Sequence, residues 1–208
     1  MIMGTDLHSR QLTLADVEPA THVLSQAFVN DPLISYMLPV NAERRVKTLH
    51  QFFMVYGEIN IKNQRGYRVG DPLQGVAFWK SANQENLSIS IKSLGKLIPL
   101  FFSLYRAGYL RGKPIMQQID ALHKKHADQP HFYLDNLGVL PASQGQGLSS
   151  RLLRPILELA DAQKVICYTD TVTPSNVPLY EHFGFQCVEE CTVAGSGITI
   201  FALKRAVP

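Results

Sequence analysis

The chain has 208 residues, 46% hydrophobic and 18% charged, and 20 Lys+Arg against 17 Asp+Glu leave a net charge of +3. This composition is globular and long enough for one domain with a sizeable core, which excludes a disordered chain; the small basic excess gives no electrostatic case for nucleic acid but suits an anionic cofactor. Three scattered cysteines, Cys167, Cys187 and Cys191, exclude a disulfide framework, and no Cys-x-x-Cys or His-rich ligand set accompanies them, so no metal is expected.

In chain order, residues Met1 to Ser9 carry no periodicity, and no basic start followed by an apolar core points to secretion. A reducing, cytoplasmic setting is the expectation. Arg10 to Leu14 reads as a first strand. Asp16 is expected to cap a helix with Val17, Ala20, Val23, Leu24, Ala27 and Phe28 on one side. Asn30-Asp31-Pro32 breaks it, and Leu33 to Leu38 is a short helix or turn. Asn41 caps a long amphipathic helix from Ala42 to about Asn63, with Leu49, Phe53, Tyr56 and Ile59 on its apolar side. Tyr67 to Val69 and Leu73 to Lys80 form a hairpin around Gly70-Asp71-Pro72. Trp79, the single tryptophan, reads as a packed strand-end residue.

Ser88 to His126 carries helical signals broken at Gly108 and at Gly112-Lys113-Pro114. Its most apolar part, Leu94 to Leu110, holds Lys96, Pro99 and Arg106, so no run spans a bilayer and no membrane is expected. This helical insert, about 87–127, could roof a pocket, make a homodimer contact, or cover a sheet face. His131 to Val139 is the core strand. A helix with Leu148, Leu152, Ile156 and Leu159 on one side follows, bent at Pro155. Val165 to Thr169 is a short buried strand. Ser175 is expected to cap a helix holding Asn176 and Tyr180, which Gly184 ends. Phe185 to Thr192 and Ile198 to Leu203 pair as an antiparallel ribbon. The pattern is α/β, with a mixed sheet flanked by helices.

The core strand runs into Gln144-Gly145-Gln146-Gly147-Leu148-Ser149. Two glycines allow close backbone approach, and the helix that follows aims unsatisfied N–H groups and a positive dipole end at the loop, which makes an anion site. A P-loop reading fails because no Lys follows Gly147. A dinucleotide fingerprint is weak because Ser150 stands where its third Gly belongs. A plain strand-to-helix turn remains an alternative.

The loop also resembles the Gln/Arg-x-x-Gly-x-Gly/Ala loop of the GCN5-related N-acetyltransferase (GNAT) superfamily, with Ser149 in the last small position. Asn176-Val177-Pro178-Leu179-Tyr180-Glu181-His182-Phe183-Gly184-Phe185 is similar to that family's second signature, in the family's order. Residues 131–205, the cofactor core of a single domain over 1–208, look most like the puromycin N-acetyltransferase-like branch. The resemblance implies the GNAT fold: a twisted, mostly antiparallel mixed sheet with the helical insert before its core strand. It also implies acetyl-CoA as acyl donor and direct transfer to a small-molecule or peptide amine.

Carried over residue by residue, the resemblance puts the pyrophosphate on the amides of Gln144, Gly145, Gln146, Gly147, Leu148 and Ser149. Leu137, Val139 and Asn176 would hold the pantetheine arm, with the Val139 N–H on the thioester carbonyl. Tyr180 would protonate the leaving thiolate. Asp135, whose strand parity places it with Leu137 and Val139, would be the base, ahead of His131. His182 is expected to be an exposed helix residue. A non-catalytic CoA-binding module is the rival reading, and a nucleotide-binding regulatory domain a third. A retained Tyr180 favours the enzyme.

Overall fold

A computed structural model describes residues 9–81 and 108–207. Within them the strands are β1 (Arg10–Gln11), β2 (Gly66–Val69), β3 (Gly75–Lys80), β4 (His131–Val139), β5 (Ile166–Thr171), β6 (Gln186–Thr192) and β7 (Thr199–Arg205). They form one seven-stranded sheet in the order β1-β2-β3-β4-β5-β7-β6. β4 and β5 run parallel, and every other neighbouring pair is antiparallel. This is the mixed, mostly antiparallel sheet expected. Short hairpins serve the antiparallel pairs, whereas the parallel pair needs a crossover helix.

That crossover is α5 (Leu148–Gln163). Its apolar stripe, Leu148, Leu152, Leu153, Ile156, Leu157 and Ala160, is buried on one sheet face against Ala77, Trp79, Leu134 and Leu203. Each such large side chain contributes about 1.5–3 kcal/mol by leaving water. Leu159, assigned to this stripe from spacing alone, instead lies on the outer side and is 42% exposed. The helix runs without a break through Pro155. Asp161 near its end grips the Arg205 guanidinium at 2.5 and 2.8 Å, and Arg205 Nε donates to the Phe183 carbonyl at 3.1 Å. This clamp joins α5, the end of α6 (Val177–His182) and β7.

The opposite face is covered by α1 (Val17–Phe28) and α3 (Ala42–Lys62), which pack Leu24 and Phe53 on Val76 and Phe78. α4 (Leu110–His126) seats Ile115 and Leu122 beside Tyr168 and Ile200. α2 (Pro32–Met37) is capped by Asp31, whose Oδ1 accepts from the Ile34 N–H at 3.1 Å. Arg45 of α3 braces the chain around α2 by donating to the carbonyls of Val29, Leu38 and Val40 and to the Ser35 hydroxyl, at 2.7–3.3 Å.

Several local expectations are corrected. Asp16 does not cap α1: its carboxylate accepts from Thr13 and pairs with Arg68 at 2.5 Å, which ties a 3-10 turn to β2. Ser175 is not a cap either, because Pro174–Asn176 forms a 3-10 turn and α6 starts at Val177. The break expected at Gly112-Lys113-Pro114 does not occur. Pro114 is the fifth residue of α4, so its ring meets only the first turn. Gly112 is there for packing, since a Cβ would lie 2.6 Å from Met37 Sδ. The first part of the expected insert, residues 87–107, lies outside the described residues, and so do the expectations for Met1 to His8.

Candidate active site

The parallel pair of β4 and β5 is zipped only over its first part, from His131↔Ile166 to Leu134↔Thr169. Beyond that point β4 continues to Val139 and β5 to Thr171 without pairing, each held on its outer edge by β3 and β7. The sheet therefore forks at its centre. The Leu140 N–H donates to the Gln74 carbonyl at 2.9 Å. Antiparallel alternation then turns the N–H and C=O groups of Leu137 and Val139 away from β3, into the fork. Unpaired strand edges inside a sheet offer backbone donors and acceptors to an extended ligand.

The glycine loop stands at the mouth of this fork. Gly145 and Gly147 hold φ of 75° and 71°, and a Cβ on either would meet nothing within 4 Å. Gly147 is the N-cap of α5, so the N–H groups of Leu148 and Ser149 in its first turn have no helical partner. One sequence expectation changes: the Gln144 N–H is taken by the Pro141 carbonyl at 3.3 Å. The Gln144 side chain instead folds to the fork, donating to the Val139 carbonyl at 3.4 Å.

Asp135 is not in the row of Leu137 and Val139. β3 pairs Phe78 with Asn136 and Trp79 with Leu134, so Asp135 is the extra residue of a β-bulge. A bulge puts an additional residue on one strand and resets parity beyond it. Leu137 and Val139 join the α5 face, whereas Asp135 meets the helical face of α1, α3 and α4. There the Lys80 ammonium sits 2.9 Å from its Oδ2, and the Tyr56 hydroxyl donates to the same carboxylate. Asn136 Nδ2 donates to the Tyr56 oxygen at 2.9 Å.

Beside this group, on the same face, Tyr133 donates its hydroxyl to Asp170 Oδ2 at 2.9 Å. Asp170 is the first residue of β5 past the fork, as Asp135 is the first of β4. Burial pushes its carboxyl up to about 6, with the Asp135 charge adding to the rise while the Tyr133 hydrogen bond and Lys80 oppose it. Burial likewise raises the carboxyl of Asp31, which the Thr173 hydroxyl approaches at 3.4 Å. Acidic and aromatic groups thus line the helical side of the fork.

Tyr180 comes from the other side. Its ring is buried against Phe185, and burial first, then the Asp170 charge, raises its phenol, opposed by a hydrogen bond with Thr169. The Thr169 hydroxyl in turn donates to the Leu134 carbonyl, at the branch point, at 3.0 Å. Asn176 is on the 3-10 turn preceding α6, and its Nδ2 donates to the Thr171 hydroxyl at 3.3 Å. The fork thus has Tyr180, Asn176 and Gln144 on one side, Asp135 and Asp170 on the other, and the glycine loop at its mouth.

His131 lies at the closed end, four residues from Asp135, about 13 Å along a strand. Its Nδ1 faces the Gln129 carbonyl at 2.8 Å and its Nε2 faces His123 Nε2 at 2.7 Å. Burial, then the charges of His131 and Lys80, lowers His123 to about 4. Both ring nitrogens of His131 are thus occupied within the fold. His182 is exposed, as expected.

Tyr56, Lys80, Tyr133, Asn136 and Asp170 were not singled out from sequence. One signal was available: Asp170 is the only charged residue in the buried strand Ile166–Thr171, and an acidic group there is rarely tolerated without a role. Tyr56 was hidden by its place in an apolar helical stripe. Among the described residues no His/Cys/Asp/Glu group could hold a metal, and no helix is long and apolar enough to cross a membrane.

Comparison with known proteins agrees with this geometry. The model of the Acetyltransferase (GNAT) family matches residues 101–185. An uncharacterised N-acetyltransferase of Schizosaccharomyces pombe is 27% identical over 198 residues, covering 85% of this chain and 73% of its own length. The same fold occurs in a crystal structure described as histone acetyltransferase HPA2 and related acetyltransferase from Corynebacterium glutamicum, with TM-score 0.66, 20% identity, and coverage of 97% of this chain and 96% of that one. It occurs again in the Drosophila melanogaster polyamine N-acetyltransferase, with TM-score 0.58, 14% identity and coverage of 96% and 99%. The glycine loop heading α5, the forked parallel pair and these matches make the chain similar to the GNAT acetyltransferases, whose fold it shares.

Proposed function

We propose that this chain transfers an acetyl group from acetyl-CoA to a primary amine, directly, in a ternary complex. The observation that carries the reading is the fork of β4 and β5 with an anion-binding loop at its mouth. A pyrophosphate would rest on the N–H groups of Gly145, Gln146, Gly147, Leu148 and Ser149, where open space and a helix dipole both favour it. The pantetheine arm would run along the edge of Leu137 and Val139, with Gln144 and Asn176 beside it. The Val139 N–H would meet the thioester oxygen as negative charge develops there. Acetyl-CoA supplies the activated acyl group.

Tyr180 would protonate the departing thiolate. Its raised phenol suits an acid that keeps its proton until a stronger base forms beside it. The amine would approach from the helical side, toward the carboxylates near the branch point. Asp135 is the one sequence points to as proton acceptor, directly or through water. Named activities of similar folds point the same way: they include arylalkylamine, agmatine and polyamine N-acetyltransferases. Aromatic rings of Tyr56 and Tyr133 among carboxylates suit a cationic amine on an apolar stem.

The test is thiol release from acetyl-CoA with a panel of arylalkylamines, diamines, amino acids and a lysine peptide. Amine-dependent release at a saturable rate is expected. Acetyl-CoA binding with no amine-stimulated release from any of them would make the chain a binding module instead.

A further inference from the structure

Two carboxylates flank the branch point, and the fold treats them differently. Asp135 is already engaged: Lys80 lies 2.9 Å from its Oδ2 and Tyr56 donates to the same group. Its carboxylate is thus committed to one cation and one hydroxyl of the fold. Among the described residues Asp170 accepts one side-chain hydrogen bond, from Tyr133, and takes part in no ion pair. It remains half-buried rather than sealed, on the β5 edge that β4 leaves. It is also near enough for its charge to act on Tyr180 across the fork.

Resting on the acetyltransferase reading, we propose that Asp170 is the general base that takes the acceptor's proton, and that Asp135, fixed by Lys80, is the countercharge that positions it electrostatically. The ion pair supports the division. Lys80 and Asp135 offset one another, so of the two carboxylates flanking the branch point Asp170 is the one left to receive an ammonium group. The acceptor arrives as an alkylammonium ion held by Asp170. One N–H proton passes to Asp170 Oδ, and the freed lone pair forms the C–N bond to the thioester carbon. The C–S bond then breaks with its electron pair on sulfur, and the Tyr180 hydroxyl protonates that sulfur. The second proton of the adduct nitrogen restores the Tyr180 hydroxyl, and Asp170 returns its proton to solvent. The products are the amide, CoA thiol and one proton.

The groups around Asp170 set the sign of each substitution. From β4, the Asp135 charge raises its affinity for a proton and the Tyr133 hydrogen bond lowers it; from β3, Lys80 lowers it. Tyr168 on its own strand and Tyr180 from α6 are neutral phenols whose ionisation Asp170 opposes. From α3, Tyr56 is turned to Asp135. From α4, His123 stacks on Tyr168 and leans on Tyr133, and from the N-cap of α2 Asp31 bonds to Thr173.

The experiment is the pH profile of kcat/KM for thiol release between pH 5 and 9, with 2-phenylethylamine and putrescine as probes at saturating acetyl-CoA. The parent should show an acid limb near 6, where Asp170 titrates. Asp170→Asn should lose that limb and slow turnover by ~100-fold or more, with calorimetric acetyl-CoA affinity unchanged. Tyr133→Phe should move the limb to higher pH, and Asp135→Asn should move it to lower pH. The opposite shifts are what a merely structural role would not produce, and they carry the test alone should Asp170→Asn fail to fold. An Asp170→Asn enzyme with parental turnover and limb, or superposable profiles for the other two variants, overturns the proposal while leaving the acetyltransferase reading intact. A parent that releases no thiol with any amine of the wider panel overturns the acetyltransferase reading itself, and the inference with it.

Discussion

The hydroxyl of Tyr180 is a single polar atom on a ring packed against Phe185, so its removal changes chemistry far more than packing. If it protonates the departing thiolate, its contribution belongs to the transition state rather than to the ground state. Tyr180→Phe should therefore reduce kcat by ~100-fold to 10,000-fold with little change in the KM for acetyl-CoA, read by thiol release under saturating, chemistry-limited conditions. Full turnover in that variant would reduce Tyr180 to a packing residue. Asp170 makes a second residue-scale claim, about stability. Its carboxyl rises from 3.8 to about 6 on folding. The folded state then binds the extra proton, so Asp170 stabilises the fold most below pH ~4, and that contribution fades as pH climbs to ~6. At neutral pH the ionised side chain is then a cost to the fold. Asp170→Asn, which can still accept from Tyr133, should raise the melting temperature of the unliganded protein at pH 7 and not at pH 4. A lower melting temperature at pH 7 would contradict the half-buried, destabilised carboxylate.

At the scale of elements, the turn between β4 and α5 is the part in which sequence and structure agree most closely. Gly147 holds φ of 71° and presents open space where a ligand would lie. A β-branched residue there would be strained by about 1–2 kcal/mol and would fill that space. Gly147→Val should weaken acetyl-CoA binding by at least ~1.4 kcal/mol, tenfold by calorimetry. Unchanged affinity in a folded Gly147→Val protein would remove the loop from the site. This turn was legible because glycine identity, helix periodicity and strand pattern are all local signals. The strands and long helices were legible for the same reason, down to the bounds His131–Val139.

The side proposed for the acceptor was not legible, because it depends on register. A one-residue bulge opposite Phe78 and Trp79 turns Asp135 away from Leu137 and Val139, and no local pattern in the strand announces it. Lys80 reaches Asp135 only because β3 and β4 pair as they do, and Tyr56 only because α3 crosses that face. Tyr133 and Asp170 are close neighbours across paired strands yet stand 37 residues apart in sequence. Caps failed for a related reason: Asp16 had the right type and position for α1, but a better partner, Arg68, arrives from β2.

The whole molecule is organised around a sheet that opens at its centre. β3 and β7 hold the two arms of the fork, α5 and α6 support it from one face, and β4 and β5 themselves turn Asp135 and Asp170 to the other. In the proposed reaction the donor and acceptor would approach the branch point from different sides, the geometry that direct transfer requires. The central claim is that the fork is the acyl-donor slot, and a crystal structure with acetyl-CoA bound tests it most directly. The account predicts the pyrophosphate within hydrogen-bond distance of the Gly145–Ser149 amides, the arm between β4 and β5, and the thioester carbon between Tyr180 and Asp170. Acetyl-CoA bound elsewhere, with the strands beyond Leu134 and Thr169 untouched, would contradict it.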